Sequence, residues 1–401
     1  MRSFILIAFK FPPYSGVGGF RWSKLCKYLA LQGHEMHVIT VKWRNSGPNT
    51  LIEDVEHPNI KIHRIPSGYL HNLRFRKFRK SLLNSIRKKC FDLLDRCFFF
   101  DDYAQHWGIY LLPFCKKLIK ERNVDVVVAT GHPFQSIRWA SEIKRQNSGI
   151  KLIQDFRDPW IHPYKKFLSE RHVDKIESWK RFSVGFADHC VFVTNGLGEV
   201  ILDKVKRPYS VITNGHDIQF SPEQKYKQDQ WIHAGNLAYG RDFMARSFLD
   251  AIRADPELLE NCVVKFYGKI PEFISGEYSD LMEKGLIICS GIASQEKVFD
   301  ELQRSKVALH FGSEKFPYAL STKIFENSAA GVPTLSINGG GEIEELINQN
   351  NWGISVRPVS ADIREGIKKI SKDRMEIGRD TVEQYHYRNL AFRYSRLINE
   401  I

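Results

Sequence analysis

The stretch FILIAFKFPPYSGVGGFRWSKLCKYLALQGHEMHVITV, residues 4–41, decides the fold class. It begins with a short apolar run, passes through a glycine-rich turn into a segment with helical spacing, and ends in a second apolar run. A strand, a helix and a second strand in this order form a βαβ unit, whose strands run parallel. The stretch therefore predicts an α/β protein that opens on a parallel sheet.

The same alternation continues along the chain in two series. Further strand candidates are KIHRIP, VDVVVAT, KLIQDF, HCVFVT and YSVITNG, and after Gly215 the alternation restarts with WIHAG, VVKFYGK, GLIICSG, VALHFG and VPTLSI. Two series with separate first strands predict two doubly wound, Rossmann-like domains. We expect an N-terminal domain over 1–210, a C-terminal domain over 211–384, and a C-terminal helix over 385–401 that packs back towards the N-terminal domain.

Composition narrows the class of protein. The chain has 401 residues, 43% of them hydrophobic, and a net charge of +13. Such a positive surplus favours an anionic partner, which can be nucleic acid, anionic lipid or a phosphorylated substrate.

The seven scattered cysteines have no CxxC spacing, so we expect reduced thiols in the cytoplasm and no metal site. No run approaches the roughly 20 apolar residues of a membrane span, and the first run reads as a buried strand rather than a signal peptide.

Ligands of such sheets bind where the strands end, so the loops there hold the candidate residues. After the first strand, Gly18 and Gly19 expose backbone N–H groups at a helix start, which suits an anion or a sugar hydroxyl. A tight turn explains these glycines equally well, since the spacing is G-x-G-G and not that of a dinucleotide fingerprint.

Two further loops of the first series carry titratable side chains. In QDFRDPW, Asp155 and Asp158 flank Arg157 at a strand end, where they can orient a polar substrate; the alternative is an internal ion pair of Arg157 that holds the loop. In ATGHPF, His132 is a candidate proton carrier, although a single loop histidine is more often structural. All four residues are catalytic candidates.

The second series has two loops suited to phosphate. In HAGNLAYGRDF, Gly235 and Asn236 follow a strand, and Arg241 stands near a helix start, where a bound anion would offset an unfavourable position for a cation. In STKIFENSAAGVP, Ser321 or Thr322 can cap a helix whose N-terminus and Lys323 both favour a diphosphate.

One turn into that helix stands Glu326. Its carboxylate can accept hydrogen bonds from two vicinal ribose hydroxyls, so Lys323 and Glu326 together match the two ends of a nucleoside diphosphate. The alternative is an exposed helical ion pair. A third glycine-rich turn, INGGGEIEEL, is anion-compatible, and glycine flexibility explains it as well.

These segments, in this order, resemble the GT-B glycosyltransferases and specifically the retaining family 4 group. The likeness runs from GGFRWSKLCKYLALQGHEMHVIT through DFRDPW, ADHCVFVTNG and VITNGHDIQF to STKIFENSAAGVPTLSI and GGGEIEEL. The form K-x-x-E-x-x-A-x-G-x-P resembles that of bacterial members that build surface polysaccharides, including lipopolysaccharide cores.

The resemblance implies two domains facing a cleft, with the acceptor in the N-terminal domain and the nucleotide-sugar donor in the C-terminal one. It implies that Arg241 and Lys323 hold the diphosphate and Glu326 the ribose, that the anomeric configuration is retained, and that no metal or other cofactor is needed. The sequence departs from the family in two places. Tyr318 stands where a glutamate usually contacts the donor sugar, with Glu314 four residues out of register, and Asn236 replaces a frequent arginine.

Residues 71–90 carry eight Lys or Arg and no acid. Across residues 71–100 an apolar stripe recurs at three- and four-residue steps: Phe75, Phe78, Leu82, Ile86, Cys90, Leu93 and Cys97. A basic amphipathic helix of this kind favours an anionic membrane surface, and the alternative is a helix docked on its own domain. Nucleic acid is disfavoured, because no nucleic-acid module accompanies the run. The membrane-binding candidates are Arg74, Arg76, Lys77, Arg79 and Lys80.

The sequence thus predicts a retaining glycosyltransferase, peripheral on the inner face of the cytoplasmic membrane. It would move a sugar from a nucleotide donor, UDP before GDP, to a lipid-linked or cell-surface glycan. A sugar-nucleotide epimerase of the same fold and a non-catalytic sugar-nucleotide-binding subunit are the alternatives.

Overall fold

The computed structural model describes residues 2–14, 16–43, 51–68, 83–86, 89–90, 93, 102–163, 169–220, 228–372 and 375–401. The chain divides into two compact units. Unit 1 comprises Met1–Thr213 and Leu390–Ile401, and unit 2 comprises Asn214–Asn389. Assigning the acceptor to the first unit and the donor to the second stays a prediction.

Unit 1 is built on a parallel sheet of seven strands in the order β3-β2-β1-β4-β5-β6-β7. The strands are β1 Ser3–Ile7, β2 Glu35–Val41, β3 Ile60–Ile65, β4 Val126–Thr130, β5 Lys151–Phe156, β6 His189–Phe192 and β7 Tyr209–Val211. The helices described are α1 Val17–Leu31, α2 Gly108–Arg122, α3 Gln135–Gln146, α4 Glu170–Phe186 and α5 Asn195–Leu202, with a 3-10 turn at Glu53–Val55.

The central strands of this sheet form because their residues are apolar on both faces. All five residues of β4, VVVAT, are buried, as is typical of a parallel strand covered by helices on both sides. Helix α5 has a side-chain cap: the Thr194 hydroxyl accepts a hydrogen bond from the Leu197 amide at 3.1 Å.

Unit 2 is built on a parallel sheet of six strands in the order β10-β9-β8-β11-β12-β13. The strands are β8 Gln230–Ala234, β9 Val263–Tyr267, β10 Ile287–Gly291, β11 Val307–Phe311, β12 Thr334–Ile337 and β13 Gly353–Val356. The helices described are α6 Arg241–Ala254, α7 Glu272–Glu277, α8 Ser279–Glu283, α9 Gln295–Arg304, α10 Thr322–Ala329, α11 Glu342–Asn350, α12 Ser360–Lys372, α13 Arg379–Glu383 and α14 Tyr387–Glu400. Helix α14 begins in unit 2 and ends in unit 1. A 3-10 turn spans Pro256–Leu259.

The core of unit 2 lies on both faces of its sheet. On one face, Phe248 of α6 and Ile367 of α12 pack over Val264 and Phe311. A separate cluster around Phe325 and Trp352 fixes α10 against the segment that follows α11. The two doubly wound parallel sheets confirm the predicted α/β fold. Strand β13 was missed, because GISV is short and follows a polar stretch. Within the described ranges, no helix is both long and apolar enough to cross a bilayer.

Candidate active site

In unit 2 the predicted donor loops meet at the point where the strand order reverses. Strands β8 and β11 are neighbours, while the chain leaves β8 towards β9 and leaves β11 towards β12. Loops that depart in opposite directions open a crevice at the carboxyl ends of the two strands, which is where open α/β sheets bind ligands. The loop after β8 leads to Arg241, and the loop after β11 leads to Lys323.

Arg241 is the first residue of α6. The residue before it, Gly240, has φ of 84°, a left-handed conformation that favours glycine and turns the chain sharply into the helix. Nη1 of Arg241 lies 3.4 Å from the Ala238 carbonyl oxygen, and the side chain is half-buried. A guanidinium is thereby held at the positive end of the helix dipole, a position that a bound anion would stabilise.

Lys323 and Glu326 lie in the first turns of α10. Ser321, not Thr322, is the cap: its hydroxyl accepts a hydrogen bond from the Lys323 amide at 3.3 Å. Nζ of Lys323 lies 2.8 Å from Oε2 of Glu326, and the two side chains are 41% and 23% exposed. The helical ion pair given as the alternative reading is therefore present. Both partners are open to solvent, so the pair can exchange for ligand groups at small cost.

The pKa of a buried histidine is affected by the positive charges at this crevice. His233 of β8 is 6% exposed; its Nδ1–H donates to the Leu309 carbonyl at 3.1 Å, and Nε2 has no hydrogen-bond partner among the described residues. Burial and, to a smaller extent, the charges of Arg241 and Lys323 together lower the pKa of His233 to about 4, against the opposing effect of the hydrogen bond to Leu309. Two cations more than 80 residues apart in sequence thus act on one imidazole, so they converge on the same part of unit 2.

The same field reaches a second histidine. Burial lowers the pKa of His310 on β11 to about 3, and the charge of Arg241 contributes next. Sequence reasoning had not selected His233 or His310. Their positions inside apolar strands, in WIHAG and VALHFG, were the available signal.

The remaining residues predicted for the donor site shape its loops. The Asn236 side chain accepts a hydrogen bond from the Ala238 amide at 2.9 Å, which tightens the turn after β8, and the Gly235 amide donates to the Tyr267 carbonyl at 3.0 Å. Tyr318 is partly buried, whereas Glu314 is exposed. Because Asn236 and Tyr318 stand where the resembled family has an arginine and a glutamate, the crevice has less charge for contacting a donor sugar than the family pattern implies.

The glycine-rich turn after β12 has a structural explanation. Gly341 has φ of 91°, and a Cβ atom there would lie 2.2 Å from the Pro317 carbonyl oxygen. That carbonyl accepts a hydrogen bond from the Glu342 amide at 2.9 Å, which joins this turn to the loop leading into α10. Glycine is required at 341 by the close approach of the backbone, whether or not an anion binds.

In the sheet of unit 1 the strand order reverses between the neighbouring strands β1 and β4. The loop after β1 holds Gly18 and Gly19 in the first turn of α1. A Cβ at Gly18 would lie 2.4 Å from the Lys10 side chain, and one at Gly19 would lie 2.9 Å from the Tyr14 carbonyl oxygen. These glycines let the loop pack tightly on the helix start. The role predicted for them in donor binding stays a prediction.

Asp155 lies in the interior of unit 1 rather than at a substrate-accessible surface. Its carboxylate is 0% exposed and accepts hydrogen bonds from four side chains: Arg21, Trp22, Thr130 and Tyr394. Burial raises the pKa of Asp155, but the charge of Arg21 and the hydrogen bonds from Tyr394 and Arg21 outweigh it, so the pKa lies below its usual range. In the described structure the carboxylate is closed to solvent and fully hydrogen-bonded, and a catalytic role for Asp155 stays a prediction.

The partner of Asp155 also differs from the expected one. Arg21, 2% exposed, lies 3.1 Å from Asp155 through Nη2, and the same nitrogen donates to the Ile212 carbonyl at 2.7 Å. Arg157 donates from Nε and Nη2 to the Gly131 carbonyl at 3.1 and 3.0 Å instead of pairing with either aspartate. Arg21 and Tyr394 were not selected from sequence, since neither lies near Asp155 along the chain.

Three predicted residues remain at the edge of unit 1 near β4 and β5. His132 is partly buried, and its ring centroid lies 5.9 Å from that of Tyr103. Arg157 is partly buried and Asp158 is exposed. The structure brings Arg157 next to the loop of His132 through Gly131. The five predicted membrane-binding residues, Arg74, Arg76, Lys77, Arg79 and Lys80, lie outside the described residues.

Several proteins of known structure are similar to this chain in fold. No protein-family model and no curated protein sequence matches the chain. Among solved structures, sucrose-phosphate synthase from Thermosynechococcus elongatus aligns with a TM-score of 0.68 at 14% identity, covering 100% of this chain and 99% of that one. HepE from Anabaena in complex with UDP aligns at 0.61 and 12% identity, covering 100% of both chains.

A third structure, the UDP-GlcNAc 2-epimerase from Methanocaldococcus jannaschii, aligns with a TM-score of 0.59 at 12% identity and covers 100% of both chains. Together these likenesses show that the chain has the fold of the GT-B glycosyltransferases over its full length. Membership of retaining family 4 stays a prediction.

Proposed function

We propose that this protein is a retaining glycosyltransferase that moves a sugar from a nucleotide-diphosphate donor to a lipid-linked or cell-surface glycan, with UDP favoured over GDP. The observation that carries the proposal is the convergence of Arg241, Lys323 and Glu326 on the point of reversal in unit 2. Two cations beside two helix N-termini suit a diphosphate, and a neighbouring carboxylate suits a ribose diol.

Donor binding exchanges the partners of an existing ion pair. Lys323 leaves Glu326 for a phosphate oxygen, and Glu326 accepts hydrogen bonds from the ribose hydroxyls. The exposed Lys323–Glu326 pair is worth about 0–1 kcal/mol, so its loss is readily offset by charge-assisted bonds to the ligand. Arg241 supplies the second charge that the diphosphate requires.

The chemistry follows from where negative charge develops. The bond from the anomeric carbon to the diphosphate oxygen breaks, a bond from the acceptor oxygen to the same face of that carbon forms, and the acceptor proton passes to the departing diphosphate. Arg241, Lys323 and the N-termini of α6 and α10 stabilise the charge on the leaving group. No metal is needed for this role. Ser321, Thr322, Gly235 and Asn236 shape the donor loops.

In unit 1, His132, Arg157 and Asp158 contact the acceptor, while Asp155 and Arg21 hold the loops that carry them. His132 is the candidate that orients the acceptor hydroxyl, whose proton passes to the departing diphosphate, because it is partly open to solvent and follows β4 at the point of reversal. The buried Asp155 network keeps the end of β5 in place, which positions Arg157 two residues further along.

The acceptor is proposed to be presented at the inner face of the cytoplasmic membrane. Three residues of the predicted apolar stripe, Ile86, Cys90 and Leu93, lie in helical conformation and are exposed. Exposure argues against the alternative in which the stripe is docked on its own domain. The eight basic residues of 71–90 favour anionic lipid as its partner.

Vesicle sedimentation tests the membrane step. Reversing five charges should release the protein from vesicles of anionic phospholipid: Arg74, Arg76, Lys77, Arg79 and Lys80. The control reverses the charges of five exposed lysines on α2 and α12. This control should sediment with the vesicles to a greater extent than the first variant. Its lysines are Lys116, Lys117, Lys120, Lys368 and Lys369. Equal sedimentation of the parent and the first variant would refute membrane binding through this segment.

The two alternatives each have one supporting observation. The epimerase likeness supports isomerisation of the donor sugar, and Tyr318 and Asn236 support a subunit that binds sugar nucleotide without turnover. Incubating the pure protein with UDP- and GDP-sugars and a membrane extract separates them. Transfer to lipid supports our proposal, whereas donor isomerisation or binding without turnover would overturn it in favour of one alternative.

A further inference from the structure

One edge strand of unit 2 lacks the features that protect a sheet edge from other chains. Strand β10 is the outermost strand of its sheet and, among the described strands, pairs with β9 alone. The stretch GLIICSGIASQ, residues 285–295, contains no charged residue and no proline. Natural proteins block exposed edges with charges, prolines or very short strands, because an unpaired edge is a template for a further strand. The edge at β10 is therefore open to pairing.

The other edge strands of the two sheets, β3, β7 and β13, do have such protection. β3 contains Lys61 and Arg64. The short strand β7 directly follows the dipeptide RP at 207–208, and β13 is directly followed by the dipeptide RP at 357–358. Of the edges that the structure describes, β10 thus stands apart in having neither charge nor proline.

The backbone of β10 presents hydrogen-bonding groups on its outer side. The Leu286 carbonyl accepts a hydrogen bond from the Val264 amide of β9, so residue 286 faces inward. Because backbone groups alternate along a strand, Ile288 also faces β9, whereas the amides and carbonyls of Ile287 and Cys289 face outward. The ladder to β9 becomes irregular only between Cys289 and Gly291. A strand added at this edge can therefore bond to Ile287 and Cys289.

Exposed apolar side chains accompany this edge. Ile288 of β10 is 44% exposed, and Ile292, just after the strand, and Met282, just before it on α8, are exposed as well. Large apolar side chains that lie open to solvent so close together mark a surface that binds another protein. The backbone and the side chains of β10 thus both favour a protein partner.

The edge is complementary to a second copy of itself. Pairing about a two-fold axis is antiparallel, so Ile287 of one copy lies opposite Cys289 of the other and the two exchange hydrogen bonds. Ile288 then lies on the axis opposite its own counterpart, in a non-hydrogen-bonded pair whose Cα atoms are about 4.5 Å apart. The register that satisfies the outward-facing backbone groups therefore also covers the exposed Ile288 side chains.

The charges at the two ends of the edge fit the same arrangement. Glu283 and Lys284 precede β10, Glu296 and Lys297 follow it, and all four side chains are exposed. An antiparallel copy brings each end opposite an end of mixed sign, whereas a uniformly acidic or basic partner would meet a like charge at both ends. Lys284 and Glu296 form no ion pair with any described residue, so each is available to a second copy.

We propose that two copies of this chain pair through β10 in an antiparallel arrangement and form a two-fold dimer with one continuous sheet. The axis reverses the strand direction, so the carboxyl ends of the two sheets open on opposite sides and the loops that follow these strands stay outside the interface. The inference does not depend on glycosyl transfer, and its test requires no nucleotide.

Analytical ultracentrifugation of the full-length protein measures the dimer directly. Between about 1 and about 100 µM we expect a reversible monomer–dimer equilibrium, because a short edge interface gives an affinity in the micromolar range. Ile288→Lys places two like charges opposite each other on the axis and should raise the dimer Kd about tenfold or more. Since Ile288 is exposed, this variant should keep the parent's circular dichroism spectrum.

The matched control is Val359→Lys. Val359 is 49% exposed and follows β13, at the opposite edge of the same sheet. The control adds the same charge at a similarly exposed apolar position, so it should leave the dimer Kd unchanged.

Ile288→Cys tests the register. The Cα separation expected on the axis lies within the range that a disulfide spans. Mild oxidation should therefore link the introduced cysteines of two copies, and mass spectrometry of the linked peptide identifies the bond. Val359→Cys, treated in the same way, should give no such link through residue 359.

A dimer that Ile288→Lys weakens and that Ile288→Cys links supports the inference. A protein that stays monomeric over the whole concentration range would overturn it, and the edge would then belong to a different partner. A dimer that Ile288→Lys leaves intact, or an oxidised Ile288→Cys protein without the linked peptide, would also overturn it, because the copies would then meet through another surface.

Discussion

Two cation–carboxylate pairs lie near the ends of parallel strands, one in each unit, and they differ in burial. Arg21 and Asp155 in unit 1 are 2% and 0% exposed and are linked to further buried donors. Lys323 and Glu326 in unit 2 are 41% and 23% exposed and bond to each other. The first pair is closed to solvent, whereas the second is open to it, as the proposed exchange with a donor requires. The two pairs have the same kinds of charge and differ in burial.

The buried pair gives the largest expected effect. Asp155→Asn leaves the Arg21 charge uncompensated in the interior, so the free energy of unfolding of unit 1 should fall by about 3–5 kcal/mol. Hydrogen exchange of the β1 and β5 amides, read by mass spectrometry, measures this loss in unit 1 itself.

The control for that measurement is Glu400→Gln, which breaks the exposed Arg396–Glu400 pair in the same unit. Its effect on the same amides should stay within about 0.5 kcal/mol. If Asp155→Asn cost no more than this control, the contrast between the two kinds of pair would disappear.

Tyr394→Phe removes one hydrogen bond to the buried pair and keeps the charges of Arg21 and Asp155. The phenol donates to Oδ1 of Asp155, so its loss should cost unit 1 about 1.5–3 kcal/mol, as for hydrogen bonds to charged groups. Protection of the β5 amides reports the change. A neutral result would mean that Arg21, Trp22 and Thr130 satisfy the carboxylate without the C-terminal helix.

The exposed pair should affect ligand binding instead of stability. Glu326→Ala should raise the Kd for uridine and for UDP about 10- to 100-fold, because the ribose diol loses its acceptor. Lys323→Ala should raise the Kd for UDP but not for uridine, which has no phosphate. Glu345→Ala, an exposed acid on α11, is the matched control and should change neither value. Parent-like uridine binding by Glu326→Ala would remove this residue from the ribose site.

The smallest effect is a pKa change at His233. Its pKa is lowered to about 4 by burial, with the charges of Arg241 and Lys323 adding to the effect. A bound diphosphate offsets those charges, so UDP should move the pKa of His233 upward, measured by NMR of the imidazole Cε1. His386, whose pKa is lowered by burial and by the charge of His216, serves as the internal control. An unchanged His233 pKa with UDP bound would place the diphosphate elsewhere.

The free energy of unfolding of unit 2 should fall as the pH falls, because of His233. Because the pKa of His233 is lower in the folded protein than the ordinary value of about 6.5, the unfolded chain takes up the proton first as the pH falls. Unit 2 should therefore lose stability between about pH 6.5 and about pH 4.

Local patterns predicted the alternating strands and helices apart from β13, because each apolar run is encoded within a few residues. They also placed Arg241 and Lys323 near helix starts, where the structure has them. Partners distant in sequence could not be predicted. Arg21 and Tyr394 lie 134 and 239 residues from Asp155, so sequence spacing pointed to the adjacent Arg157 instead.

Burial was the second quantity that sequence patterns did not supply. QDFRDPW and STKIFE both present charged residues at a strand or helix end, and nothing in their composition tells which carboxylate faces solvent. In the structure Asp155 belongs to the last part of β5 and points into the interior, whereas Glu326 lies on the open side of α10.

A crystal structure of the protein with UDP tests the central claim most directly. We expect the diphosphate between Arg241 and Lys323, and the ribose hydroxyls on Glu326, which has then exchanged its bond to Lys323. A nucleotide bound in unit 2 away from these three side chains, or bound only in unit 1, would contradict the account.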